Sequence, residues 1–333
     1  MNNSDLKFDE VHTLKKRMQL QDMMQKIANE TLVNFPKLDR LSECPCCLDS
    51  AINFYAKKFG YNLDKCNSCG HIFTNPMPSS EALDYYYNSP FKDFENEFFM
   101  QSFDARLPIF SQRIELLIDI GAGKNILDVG SAVGIFLEAN KLYSKKFNVD
   151  ACDLNASSCS FLREKYPEIK VINENVLNLE TADYDAVTLW DTFEHIPKVS
   201  HLLSAVKRQL RTKGLFIFST PNTASLEWRV MDTEHVQLLP PGHVNLYNKH
   251  NINKLLLRNG FETLSVSTLN PSLDLSYLKN KFESEENLDS NEKRFIFEMY
   301  KLLDDDEISE VVTAKLREKK AAGNMVVVAR KIS

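Results

Sequence analysis

The sequence predicts an α/β protein built around a largely parallel β-sheet, with a small metal-binding segment near its start. From Asn125 onward, short β-rich runs alternate with helix-length segments, which is typical of parallel βαβ units. Five of the seven cysteines fall between residues 41 and 78, which indicates the metal-binding segment. The 333 residues, 43% of them hydrophobic, are enough to bury a large core.

The strand and helix candidates of the predicted sheet follow one another in regular order. The strand candidates are residues 125–129, 147–152, 170–172, 185–190, 214–220, 262–267 and 325–330. The helix candidates between them include residues 134–143, 156–166, 199–211 and 249–259. Because parallel strands need crossover connections, helices of this length between strands support the predicted fold class.

Four regions precede or form this sheet in the predicted domain organisation. We expect an N-terminal helix within residues 1–40, a zinc-binding knuckle at 41–78 and a helical linking segment at 79–122. The α/β domain occupies residues 123–333. An acidic helical insert at about residues 270–322 separates its last two strands, and the sequence does not indicate what this insert contacts.

Charge and hydropathy restrict the classes of partner. The formal net charge of -6 disfavours a nucleic-acid partner, because binding to phosphates requires clustered Lys and Arg. No apolar run reaches the ~18 residues of a membrane span, and the start of the chain lacks the pattern of a signal peptide. We therefore expect a cytoplasmic protein. Disulfides are rare in that compartment, so clustered cysteines are interpreted first as metal ligands.

Two C-x2-C pairs separated by 18 residues predict a zinc site. The four expected ligands are Cys44, Cys47, Cys66 and Cys69. Cys46 and His71 are possible substitute ligands. Four sulfur ligands close the coordination sphere of tetrahedral zinc, so the expected role of the metal is in folding rather than catalysis.

Residues 126–134 (ILDVGSAVG) predict a strand, a turn of small residues and a helix start. A ligand can approach the backbone closely at such a turn, because glycines such as Gly130 carry no side chain. Asp153 ends the next predicted strand, close to the ~20-residue offset expected for an acid that binds a ribose. The dinucleotide pattern G-x-G-x-x-G is not met, since Ala132 occupies its middle position. This departure counts against a nicotinamide-dependent dehydrogenase.

Four segments in succession resemble the motifs of class I S-adenosylmethionine-dependent methyltransferases. They are ILDVGSAVGIF, VDACDLN, DYDAVTLWDTFEHIP and LRTKGLFIFSTPN, and the resemblance covers roughly residues 126–261. It implies a Rossmann-like seven-stranded sheet of order 3-2-1-4-5-7-6, whose last strand runs antiparallel. The zinc knuckle and the following CGHIFTNP segment resemble the zinc-binding front end of a subset that includes sugar C-methyltransferases.

The resemblance also implies a set of residues that bind the methyl donor S-adenosylmethionine. They are Asp128, Gly130, Ser131, Gly134, Asp153, Leu154, Asn175, Val176, Trp190 and Asp191. The first residues of this set shape the methionine pocket, and the last two close over the cofactor. Asp153 would hold the ribose, and Asn175 and Val176 would flank the adenine. The sequence departs from the family where Ala132 replaces a third glycine and where Asn175 replaces an acid.

Two histidines are the candidate catalytic residues. Methyl transfer to oxygen or carbon requires that the acceptor lose a proton, which calls for a base. His195 follows the fourth predicted strand, at the edge where open α/β sheets bind ligands, and His243 follows the fifth strand. Asp191, Glu194 and His195 also resemble the acidic-histidine cluster of ubiquinone-pathway O-methyltransferases, which carry a metal there. The sequence leaves open whether these three residues bind a second metal.

The sequence thus favours an enzyme that methylates a small-molecule acceptor. The resemblance implies a sugar, a sugar nucleotide or a glycan precursor, and leaves open whether oxygen, nitrogen or carbon is methylated. An RNA methyltransferase that uses the zinc knuckle to bind nucleic acid is an alternative, which the acidic balance disfavours. A methyltransferase fold without turnover, which serves as a binding module, is a second alternative, motivated by Ala132.

Overall fold

The structure is a computed structural model that describes residues 14–268 and 301–332, together with six residues between these ranges. Helix α1 spans Leu14–Asn34 and matches the later part of the helix expected within residues 1–40. Residues 1–13 of that prediction lie outside the described residues. In the described ranges, no helix combines the length and apolar character that crossing a bilayer requires.

The two cysteine pairs lie at the base of a small antiparallel hairpin, one before its first strand and one at the end of its second strand. Its strands are β2 (Ile52–Lys58) and β3 (Tyr61–Cys66), and β4 (Ile72–Thr74) pairs with β3 on the other side. The short strands β1 (Leu38–Asp39) and β5 (Met77–Pro78) pair with each other at the two ends of this region. Gly60 turns the hairpin with a φ of +85°, a conformation that glycine adopts without steric cost.

Three helices follow between residues 79 and 122. They are α2 (Ser80–Tyr87), α3 (Pro90–Gln101) and α4 (Phe103–Asp119). Ser79 caps α2, because its hydroxyl accepts a hydrogen bond from the Ala82 backbone N–H. Pro90 begins α3, a position at which the missing N–H of proline has no helical partner to lose.

The central sheet contains all seven predicted strands. They are β6 (Asn125–Val129), β7 (Asn148–Asp153), β8 (Val171–Asn173), β9 (Tyr184–Leu189), β10 (Leu210–Pro221), β12 (Phe261–Thr268) and β13 (Asn324–Lys331). Their order is β8-β7-β6-β9-β10-β13-β12. Among these seven strands, β13 alone runs in the direction opposite to the other six. This arrangement confirms the predicted order 3-2-1-4-5-7-6 and the Rossmann-like α/β fold class.

Helices cover both faces of the sheet. They are α5 (Ile135–Leu142), α6 (Ala156–Lys165), α7 (Val199–Gln209) and α9 (Lys249–Arg258). Neighbouring strand residues alternate between the faces: Ile126 packs with α4, α5 and α6, whereas Leu127 packs with α7 and α9. Because both faces are buried, β6, β9 and β10 each contain a run of consecutive buried residues rather than an alternating pattern.

The cysteine-rich segment at residues 41–78 shares its sheet with the α/β domain. The two-residue strand β11 (Asn245–Leu246) pairs with β4, which gives a four-stranded sheet of order β11-β4-β3-β2. The side chain of Arg258, at the end of α9, donates a hydrogen bond of 2.8 Å to the Pro45 carbonyl oxygen. The small sheet of residues 41–78 thus takes its fourth strand, β11, from the α/β domain.

The predicted helical insert at 270–322 is described mainly from residue 301 onward. That part contains helix α10 (Asp306–Lys319), which leads into β13. A short helix, α8 (Leu226–Met231), follows β10 and precedes β11. Leu275 and Leu278 are buried against Met231 of α8, so residues of the insert contact the segment after β10.

Candidate functional site

A cavity of about 1000 Å³ lies at the carboxyl edge of the central sheet. Residues that follow β6, β7, β9 and β10 line it, together with residues from α1 to α4 and the tip of the β2–β3 hairpin. Such an edge is where open α/β sheets bind ligands. The predicted donor turn, Asp153, His195 and His243 all border this one cavity.

The turn after β6 keeps the conformation that a close-approaching ligand requires. Gly130 has a φ of +79°, and a Cβ added there would lie 2.6 Å from Thr192 Oγ1. Ala132 adopts a φ of +45°, which costs an alanine roughly 1–2 kcal/mol. The turn thus forms despite the missing third glycine. Gly134 is not among the described residues that line the cavity; its Cα faces Leu162, where an added Cβ would lie 2.7 Å away.

Asp153 lies at the end of β7 and faces the donor turn. Its Oδ2 accepts a hydrogen bond of 2.8 Å from the Ala132 backbone N–H, and its Oδ1 accepts one of 2.8 Å from Asn155 N–H. A carboxylate offers about four lone-pair sites, so roughly two remain for a ligand. Asp150 lies elsewhere: it accepts a hydrogen bond from the Tyr184 hydroxyl and is not among the residues that line the cavity.

Asp128 and Ser131 hold the base of the turn together. Ser131 Oγ donates to Asp128 Oδ2 at 2.8 Å, and Thr188 Oγ1 donates to Asp128 Oδ1 at 2.8 Å. Burial raises the pKa of Asp128 to about 6, although these two hydrogen bonds oppose the shift. The carboxyl group therefore serves as a buried anchor of the turn. Leu154, by contrast, borders the cavity and is largely exposed.

The expected adenine-flanking residues follow β8. Asn175 caps a short 3-10 turn, Val176–Asn178, because its Oδ1 accepts a hydrogen bond from Leu177 N–H. Its side-chain oxygen therefore already has a partner, whereas Val176 is buried and lines the cavity. Glu174, an acid one residue earlier, also borders the cavity. An apolar wall beside polar groups is what an adenine site requires.

Trp190 and Asp191 follow β9 and are held by Arg113 from α4. The Arg113 guanidinium lies between the rings of Phe110 and Trp190, at 4.1 and 4.8 Å from their centroids. Its Nη2 donates a hydrogen bond of 2.6 Å to Asp191 Oδ2. Burial alone would raise the pKa of Asp191, but Arg113 and a hydrogen bond from Ser219 outweigh it and lower the pKa.

Arg113 was not predicted from the sequence, although it is a strong candidate binding residue. Its side chain is 5% exposed, and Nε and Nη1 have no hydrogen-bond partner among the described residues. Arg113 lines the cavity beside the donor turn. A buried guanidinium with unused donors suits a carboxylate ligand. No local pattern marks it, because its partner Asp191 lies 78 residues away in the sequence.

His195 and His243 lie side by side in the wall of the cavity. Their ring centroids lie 4.8 Å apart. His195 Nδ1 lies 2.9 Å from the Gly242 carbonyl oxygen, and His243 Nδ1 lies 2.9 Å from that of Gln237. Each Nδ1 therefore carries the proton, which leaves Nε2 of His243 as an acceptor; His195 also has a backbone hydrogen-bond contact with Asp191. Burial lowers the pKa of His195 to about 4, with Lys92 adding to the shift, and that of His243 to about 3.

Glu194 completes a cluster with the two histidines. It offers a ligand atom that lies within 4.8 Å of one on His195 and one on His243. Burial, and secondly the charge of Asp191, raises the pKa of Glu194 to about 8. The structure places His243, rather than Asp191, in this cluster. The Asp191 carboxylate is occupied instead, since it also accepts hydrogen bonds from Ser219 and Asn324.

The four predicted zinc ligands converge on one point, with ligand atoms within 4.8 Å of one another. The Sγ atoms of Cys44 and Cys69 lie 3.6 Å apart, as do those of Cys47 and Cys66. Zinc–sulfur bonds of about 2.3 Å in a tetrahedron require sulfur–sulfur distances of about 3.8 Å. The four thiols therefore fit a zinc ion.

The two possible substitute ligands lie beside this set. His71 Nδ1 lies 3.7 Å from Cys44 Sγ, close enough to donate to a ligand sulfur, and its ring stacks between Phe73 and Tyr247. Burial raises the pKa of the Cys46 thiol and so keeps it protonated. We therefore assign His71 to the support of a zinc ligand. Such supporting hydrogen bonds orient and tune metal ligands.

Comparison with known proteins identifies a family for this chain. A family model described as a methyltransferase domain matches residues 100–266, which is 167 of the 333 residues. The sheet has the strand order of class I S-adenosylmethionine-dependent methyltransferases, and the matched family is that of a methyltransferase domain. The chain belongs to the methyltransferase-domain family.

The individual relatives share less than 30% sequence identity with this chain in the two comparisons that follow. A ubiquinone biosynthesis O-methyltransferase from Dechloromonas aromatica is 29% identical over 131 residues, covering 36% of this chain and 56% of the relative. A protein of Mycolicibacterium smegmatis, named as a probable S-adenosylmethionine-dependent methyltransferase, is 28% identical over 143 residues, covering 42% and 53%. The chain thus spans about half the length of these curated relatives. A solved methyltransferase structure from Archaeoglobus fulgidus aligns with 18% identity and a TM-score of 0.47, covering 73% of this chain and all of that one.

Proposed function

We propose that this protein transfers a methyl group from S-adenosylmethionine to a small-molecule acceptor of the sugar, sugar-nucleotide or glycan-precursor class. One observation carries the proposal: the donor turn and the two histidines open onto the same cavity of about 1000 Å³. A volume of this size suits a donor and a small acceptor side by side. The cavity is also rich in carboxyl groups, which disfavours a polyanionic acceptor such as RNA.

Four groups of the cavity would hold the donor. The free lone pairs of Asp153 would accept hydrogen bonds from the ribose hydroxyls, and Val176 would pack against the adenine. The unused donors of Arg113 would bind the methionine carboxylate, which adds a residue to the set expected from the sequence. Bound S-adenosylmethionine supplies an electrophilic methyl group on a sulfonium. Trp190 would cover the donor from the side of α4.

The two histidines would contact the acceptor. Both are neutral at pH 7, because burial lowers the pKa of His195 to about 4 and that of His243 to about 3. The Nε2 of His243 can then accept a hydrogen bond from an acceptor hydroxyl and orient its oxygen, and the His195 ring lies beside it. Alignment of this kind can supply ~7–11 kcal/mol of the barrier. An attacking hydroxyl becomes strongly acidic as its oxygen forms the new bond, so even a weakly basic imidazole can take its proton.

The zinc site would have a folding role. With four sulfur ligands the coordination sphere is closed, so the metal has no position for a substrate. The site fixes the start of the β2–β3 hairpin, and the hairpin tip, Lys58 and Phe59, borders the cavity. The metal would therefore support one wall of the acceptor site from a distance.

A search for a methylated product tests the proposal. The purified protein is incubated with small-molecule and RNA fractions of a cell extract and with donor carrying an isotopically labelled methyl group. We expect label in a small molecule, detected by mass spectrometry. Label confined to RNA would support the alternative in which the zinc knuckle binds nucleic acid. If the folded protein binds S-adenosylhomocysteine but transfers no labelled methyl group to any fraction, the proposal is refuted in favour of a non-catalytic binding role.

A further inference from the structure

One buried carboxyl group beside the cavity has no role in the proposed chemistry. Glu227 lies in α8, is 2% exposed and borders the cavity that holds the donor turn and the histidines. Neither carboxyl oxygen makes a hydrogen bond of normal geometry among the described residues; the groups close enough to lower its pKa are the Ser225 hydroxyl and the backbone N–H of Glu227 itself, both at the start of α8. A buried, unpartnered carboxyl group is costly, because its desolvation is not compensated. Such a group therefore indicates that a bound ligand supplies its hydrogen-bond or ionic partner.

The charge of the cavity indicates the sign of that ligand. Nine carboxyl groups and five cationic side chains line it in the described part of the chain. The carboxyl groups are Asp84, Glu95, Asp128, Asp153, Glu174, Asp191, Glu194, Glu227 and Glu234, and the cations are Lys58, Lys92, Arg106, Arg113 and Lys198. Lys92 pairs with Glu95, and Arg113 pairs with Asp191. Glu194, whose pKa is raised to about 8, is mostly protonated at pH 7, but the remaining carboxyl groups still outnumber the cations. The balance therefore favours a cationic ligand over a phosphate group inside the cavity.

The sulfonium donor is itself cationic, and the position of α8 in the fold bears on which of the two substrates Glu227 would meet. Helix α8 follows β10, and the segment after it carries His243, one of the two histidines proposed to contact the acceptor. Burial also raises the pKa of Glu227 to about 7, so that a positive charge beside it would favour the ionised form at neutral pH.

We infer that Glu227 binds a protonated amine of the acceptor, so that the substrate is an amine-bearing small molecule, within the sugar class an amino sugar. The inference rests on the proposed function and narrows it. The amine is the recognition group, and it forms a charge-assisted hydrogen bond with the carboxylate. The diphosphate of a sugar nucleotide would have to lie outside the cavity.

Fractionation of the acceptor tests this inference. Small molecules from a cell extract are separated on a cation exchanger into retained amines and unretained neutral and anionic compounds. Each fraction is incubated with labelled donor and with the wild type, Glu227→Gln or Glu234→Gln. The control residue Glu234 borders the same cavity, but its side chain is 71% exposed.

We expect the acceptor in the retained fraction, and its loss after the fraction is N-acetylated. Glu227→Gln should lower kcat/KM for that fraction at least about tenfold, with unchanged affinity for S-adenosylhomocysteine, and Glu234→Gln should stay within about twofold. Acceptor activity in the unretained fraction, or equal rates for wild type and Glu227→Gln, would overturn the inference and leave the methyltransferase proposal intact. No labelled product in any fraction would contradict the proposed function itself.

Discussion

Replacement of Asp153 by alanine should weaken binding of the donor, and the structure gives the size of the effect. Two of the roughly four lone-pair sites of this carboxylate accept hydrogen bonds from Ala132 and Asn155, which leaves about two for the ribose. Each charge-assisted hydrogen bond contributes ~1.5–3 kcal/mol. Loss of one such bond corresponds to about a tenfold to 150-fold increase in Kd, and loss of both to more.

The control for this experiment is Asp150→Ala on the same strand. Asp150 is hydrogen-bonded to Tyr184 and lies outside the described lining of the cavity, so its removal should leave the Kd within about twofold. Binding of S-adenosylhomocysteine is measured by isothermal titration calorimetry, after circular dichroism has confirmed that both variants are folded. An unchanged Kd for Asp153→Ala, or an equal loss in the control, would refute the proposed ribose contact.

Four further predictions address the other groups. Arg113→Met should weaken binding of S-adenosylhomocysteine at least about tenfold but spare 5′-methylthioadenosine, which has no carboxylate; equal losses would reject the carboxylate role. Cys66→Ser should reduce bound zinc, measured by plasma mass spectrometry, and lower Tm; a zinc-free wild type would contradict the site. His195, with a pKa near 4, should show no NMR titration between about pH 5.5 and 8, and a midpoint near 6.5 would contradict its burial. Glu194, whose pKa rises to about 8, contributes stability that is full below pH 4.5 and is lost as the pH passes 8. Glu194→Gln should therefore gain stability relative to wild type in urea titrations from pH 5 to 9, and a constant difference would count against the shift.

The central sheet was predictable because its signals are local. The strands β6, β9, β10 and β13 each contain a run of consecutive buried, largely apolar residues, since helices bury both faces of the sheet. Helix-length segments separate most of the strands along the chain. The strand β6 matches the predicted range, and the others differ by one to four residues at an end. The cluster of four cysteines could also be predicted, because each C-x2-C spacing places two thiols close together and the hairpin joins the two pairs.

Features that depend on long-range contacts could not be predicted. The strand β11 has only two residues, and it pairs with β4 more than 170 residues earlier, so no periodicity marks it. Arg113 likewise becomes a candidate site residue only when α4 packs beside the end of β9. Gly134 carries the pattern of a ligand-binding glycine, yet it faces Leu162, because the start of α5 packs closely against α6.

The roles assigned to the acids after β9 also depended on contacts that the sequence does not contain. Asp191 and Glu194 are three residues apart and have similar patterns, but the pKa of one is lowered and that of the other is raised. Arg113 accounts for the first shift, and burial without a cationic partner accounts for the second. His243, 48 residues later, joins Glu194 and His195 because its loop folds over the carboxyl edge of the sheet.

A crystal structure of the protein with S-adenosylhomocysteine would test the central claim most directly. We predict that the ribose hydroxyls lie within hydrogen-bond distance of Asp153, that the homocysteine part runs along the turn at residues 130–132, and that its carboxylate meets Arg113. A ligand bound elsewhere, or one whose ribose lies away from Asp153, would contradict the account.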